Sequence, residues 1–72
     1  MKYVINLIWD NEAGVWVATS DNIPGLVLES GSFDALIERL RYAVQELLAL
    51  NHVQPEYLNL TFRSERSERI VL

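Results

Sequence analysis

From Phe33 to Leu48 the apolar residues Phe33, Leu36, Ile37, Leu40, Val44, Leu47 and Leu48 recur at i, i+3, i+4, i+7 spacing. That is the signature of one helix of about 18 residues with a single apolar stripe. Ser32 is placed to cap its start and Asp34 puts negative charge where the dipole favours it. Asn51 can close it, and Pro55 lies where a helix cannot continue. A lone amphipathic helix must find its cover elsewhere in the chain, and the cover on offer is strand.

Residues 3–9 are rich in β-branched and aromatic types and read as a strand. Asp10–Gly14 is a turn and residues 15–20 a second strand, so the two form a hairpin. Asp21-Asn22-Ile23-Pro24-Gly25 breaks the chain again, and residues 26–30 make a short third strand. Residues 58–62 alternate apolar and polar as a fourth. Residues 64–69 are polar and charged, and Ile70-Val71-Leu72 is an apolar end. The predicted fold is α+β, β-β-β-α-β. Three strands form a meander, and the helix returns the chain so that the fourth runs parallel beside the first.

Seventy-two residues make one domain with a thin core, spanning 1–72. Such domains lean on a disulfide, a metal or a second subunit. There is no cysteine, and one histidine makes a structural zinc site implausible, which leaves self-association. Half the residues are hydrophobic, in keeping with a buried interface. The longest apolar runs, Val15–Ala18 and Leu47–Leu50, fall far short of the roughly 20 residues of a membrane span. Asp10, Asn11 and Glu12 cut the first apolar run too early for a signal peptide, so the expected location is the cytoplasm. A net charge of −4 disfavours nucleic acid and suits a basic protein partner.

With Trp9 set opposite Val15, one row of the hairpin holds Tyr3, Ile5, Leu7, Trp9, Val15, Val17 and Thr19 and goes under the helix. The other leaves Val4, Ile8, Trp16 and Ala18 as an apolar patch on the far side. Such a patch marks an interaction surface, with Trp16 its expected anchor. Two alternatives would dissolve it: the tail folds over it, or the hairpin register differs by one residue.

The order of these features resembles the N-terminal domain of HicB-type antitoxins and their short, stand-alone relatives of unassigned function. The features are a strand, an acidic turn ending in glycine, Val15-Trp16-Val17-Ala18, then Ile23-Pro24-Gly25 and Ser32 opening the helix. The resemblance covers roughly residues 3–62. It implies a partial ribonuclease H-like fold and the binding and blocking of HicA, a small toxin that cleaves messenger RNA. Three departures stand out. Asn22 replaces the usual Asp and Asp21 a frequent Pro. Ala35 replaces a common Glu, which removes the capping box. No stretch remains for a DNA-binding segment, so autorepression is not expected.

The residues offer little for catalysis. Two-metal nuclease chemistry needs clustered carboxylates, and neither residues 3–9 nor 58–63 contain an acid. Glu38 and Glu46 read as solvated helix-face residues and His52 as an exposed residue after the helix. The turn acids Asp10, Glu12 and Asp21 do not match a calcium loop, and the glycines do not form a phosphate cradle. Arg63, Arg66 and Arg69 are interleaved with Glu65 and Glu68, more a solvated tail than a nucleic-acid contact. No enzyme activity, cofactor or metal is expected. Two functions stay open: an antitoxin-like module that neutralises a small basic toxin, itself a homodimer or higher, and an orphan domain that associates only with itself.

Overall fold

The computed structural model describes residues 2–72 as five elements: β1 (Lys2–Asp10), β2 (Val15–Thr19), β3 (Val27–Ser30), α1 (Phe33–Leu50) and β4 (Asn59–Glu65). They form a four-stranded sheet of order β3-β2-β1-β4, antiparallel except for β4, which runs parallel to β1. The single helix packs on one face. The α+β class is as the periodicity predicts, and the place of the fourth strand is as the connection through the helix predicts.

The local chemistry explains each junction. Ile23-Pro24-Gly25-Leu26 is a type II turn: the Leu26 amide donates to the Ile23 carbonyl, and Gly25 has φ +84°. Proline presets the second position and only glycine takes the third without strain. The turn buries both flanking side chains, Ile23 and Leu26, at the end of the core. Ser32 caps α1, its Oγ accepting from the Ala35 amide at 3.2 Å. The far end closes as a Schellman motif. The Val53 amide bonds the Leu48 carbonyl, the His52 amide bonds that of Ala49, and His52 itself sits at φ +60°.

Leu36, Leu40, Val44 and Leu48 form the buried stripe of α1 and meet Ile5, Leu7 and Ala18 of the sheet. Phe33, Ile37, Ala43 and Leu47 flank the stripe half-buried. Where β2 stops pairing, its neighbours continue the ladder with side chains. The Val4 amide donates to Asn22 Oδ1 at 3.0 Å, and the Ser20 hydroxyl donates to the Val4 carbonyl at 2.6 Å. Neither backbone group of Val4 is left unpaired on that edge.

The hairpin register differs by one residue from the expected one. Trp9 pairs with Trp16 and Asp10 with Val15, so the loop is four residues, Asn11–Gly14. Asp10 sets this length: its Oδ1 accepts from the Glu12 and Ala13 amides, and its carbonyl accepts from Gly14 at φ +66°. One residue of slip exchanges the faces of a strand. Trp16 and Ala18 therefore lie under the helix, and Val15, Val17 and Thr19 on the open side.

β4 also runs longer than its alternation suggests, to Glu65, because β1 offers ladder partners as far as Ile8. Beyond it, residues 66–72 are exposed throughout. They project rather than fold back, and the molecule is 51 Å long with a radius of gyration of 13.7 Å. A compact chain of this length has about 11 Å.

Candidate functional site

The four residues expected to form one patch are divided between two faces. Ala18 is fully buried in the core. Trp16 is half-buried between Trp9 and Phe33, with ring centroids at 5.4 and 5.0 Å in edge-to-face geometry. Val4 and Ile8 remain on the open face, Ile8 with 46% of its surface exposed. Trp16 is thus a packing residue on the helix side and no anchor for that surface.

The open face has its own pattern, which follows from the register. Ile8 lies opposite Val17, with Val15 one step along β2 and Val27 near the β3 edge. Val27 is 68% exposed. In cross-strand order the central row reads Glu29, Val17, Ile8, Glu65, so an aliphatic pair is edged by a carboxylate on either side. Asp10 opposite Val15 adds a third acid, and Arg63 beside Asn6 a cation. No helix covers this side, because α1 is spent on the other. Val15, Val17, Val27 and Glu29 are members that sequence reasoning missed, and Glu65 was read as part of a solvated tail. The signal for them was present in Asp10, whose side chain fixes the loop length.

Next to the patch, Val4, Asn6, Asp21, Asn22 and Arg63 line a shallow cleft of about 230 Å³. A larger groove, about 400 Å³, lies between the end of α1 and residues 53–58. Its walls are Leu48, Val53, Pro55 and Leu58 with Gln45, Gln54, Glu56 and Tyr57. Neither lining set brings a nucleophile and a base together. Among the described residues no group of three His, Asp or Glu side chains is arranged to hold a metal ion. Among the described residues no helix is long and apolar enough to cross a membrane. His52 contributes its backbone conformation at the helix end, and its side chain is exposed.

The tail meets the body at Trp9 and Asn11. The Arg66 guanidinium lies 4.2 Å from the Trp9 ring centroid and bonds Glu68 at 3.1 Å. Asn11 joins the two, accepting from Trp9 Nε1 at 2.7 Å and donating to the Ser67 carbonyl at 3.3 Å.

A helix on one face of a small mixed sheet, with an aliphatic, acid-edged second face, defines a small α+β domain. The chain belongs to the family described as a domain of unknown function, DUF1902, whose model matches residues 2–72. It is also similar to the crystal structure of a hypothetical protein, TTHA1013, from the extremely thermophilic bacterium Thermus thermophilus. The two are 38% identical, each covered over 100% of its length, with a TM-score of 0.75. No curated protein matches the sequence.

Proposed function

We propose that this chain is a non-enzymatic protein-binding module of the HicB-like kind, and that its open sheet face occludes a small basic toxin resembling HicA. The observation that carries this reading is the row Glu29, Val17, Ile8, Glu65 on a face without a helix. An aliphatic centre supplies affinity, and carboxylates at its rim steer and align a cationic partner. The β-β-β-α-β order and the Ile23-Pro24-Gly25 turn support the partial ribonuclease H-like assignment. The acidic net charge supports a basic protein over nucleic acid as the ligand, and a cytoplasmic setting fits both.

The test is capture of the partner by tagged protein in its own cells, followed by reconstitution. A small basic protein should be recovered in equal amount, and its ribonuclease activity should fall when purified chain is added. Ile8→Arg, placed on the open face, should reduce capture at least about tenfold while the melting curve stays close to wild type. Undiminished capture by Ile8→Arg would sink the surface assignment. Recovery of the bait alone would favour the second reading, an orphan domain that associates only with itself. The exposed Ile70, Val71 and Leu72 on a projecting segment favour that second reading.

A further inference from the structure

The projecting segment carries a charge pattern that is complementary to its own reverse. Glu65-Arg66-Ser67-Glu68-Arg69 reads minus, plus, neutral, minus, plus. Laid antiparallel against a second copy about Ser67, it sets Glu65 opposite Arg69 and Arg66 opposite Glu68, each pair occurring twice. The neighbouring registers that keep the faces matched set Arg66 against Arg66 or Glu68 against Glu68. Like charges directly opposite on a sheet are destabilising, so the pattern selects one register among these neighbours.

We propose that residues 62–72 pair with the same segment of a second copy of this chain about a two-fold axis at Ser67, joining two sheets edge to edge. This deepens the self-association within the reading above and rests on it. β4 is an edge strand of the sheet, and an unpaired edge is a template for a further strand. The chosen register brings Leu72 of one copy beside Phe62 of the other, and Ile70 beside Ser64. These even-numbered positions continue the helix side of β4, where Leu60 and Phe62 pack against the core. Ile70 and Leu72 are 76% and 113% exposed in the single chain. The Ser67 carbonyl faces Asn11 of its own chain. That leaves Arg66 and Glu68 to exchange backbone hydrogen bonds with the second copy and makes Ser67 against Ser67 a non-hydrogen-bonded pair. The internal Arg66–Glu68 bridge joins side chains 45% and 59% exposed, and exchanging it for the same bridge between copies costs little. The ion pairs set the register, while the ladder and the buried apolar side chains supply the affinity. Glu29 and Asp10 keep the open face acidic when Glu65 is paired.

A chain without cysteine allows a clean test. Opposite Cα atoms of a non-hydrogen-bonded antiparallel pair are about 4.5 Å apart, within disulfide reach. Ser67→Cys should oxidise to a covalent dimer, and Ser64→Cys, opposite Ile70, should not. In sedimentation, Glu65→Arg or Arg69→Glu alone should weaken the dimer about tenfold, since each change acts twice, and the double exchange should restore it. A dimer that neither crosslinks at Ser67 nor responds to these exchanges overturns this interface and leaves self-association through another face. A monomer throughout overturns it too, while capture of a basic partner by the open face would stand unaffected.

Discussion

His52 shows how a single residue holds an element end at a cost. The Schellman closure of α1 needs a left-handed residue between Asn51 and Val53, and the chain puts a histidine there at φ +60°. Any Cβ is strained in that region, and glycine is the residue that relieves it. His52→Gly should therefore raise stability by about 0.5–1 kcal/mol in urea unfolding, the freer unfolded chain offsetting part of the gain. A loss of stability would mean that the imidazole makes contacts that matter. Asn22 and Ser20 work at the same scale: two side chains stand in for a strand, bonding the Val4 amide and carbonyl where β2 has ended. Asp10 does more than either, since the amides on its carboxylate decide which residues the following strand buries.

At the scale of elements, that decision can be tested on two adjacent residues. Ala18 is fully buried beneath the helix and Val17 faces outward opposite Ile8. Ala18→Asp should cost several kcal/mol, because an unpaired carboxylate would enter the core, on the order of 3–5 kcal/mol. Val17→Asp should cost under about 1 kcal/mol while adding a carboxylate to the open face. Thermal melts that gave the reverse ranking would return the hairpin to the register first expected. The helix, its Ser32 cap and the presence of all four strands were legible in sequence because each is written locally, in period or in capping chemistry. The register was not, because both rows of β2 are apolar enough to be buried: Val15 and Val17 on one side, Trp16 and Ala18 on the other. A pattern without contrast carries no face. The candidate surface therefore changed membership, keeping Val4 and Ile8 and exchanging Trp16 and Ala18 for Val15, Val17 and Val27.

At the scale of the whole molecule, the open face and the projecting segment differ in kind. One is a broad aliphatic face with an acidic rim; the other is a narrow exposed segment with alternating charge. A toxin-like partner and a second copy would use different parts of the domain, so binding one need not release the other. The end of the chain was expected to cover the open face, to remain a solvated tail or, through Ile70-Val71-Leu72, to add a strand to a sheet edge; residues 66–72 are exposed throughout and the molecule is 51 Å long.

The parallel pairing of β1 with β4 has a kinetic consequence. Lys2 finds Asn59 across nearly the whole chain, and contacts so distant in sequence close late, after the local hairpin and helix. Leu60→Ala should then speed unfolding in stopped-flow measurements and leave the refolding rate nearly unchanged, as for a side chain that docks after the barrier. A slowed refolding arm would put β4 in the nucleus instead. On the ribosome, β1 waits with one flank bare until the last strand emerges. A chain that stalls short of Asn59 therefore exposes the strand that is interior in the finished sheet, and it is this nascent form that most needs shielding from its neighbours.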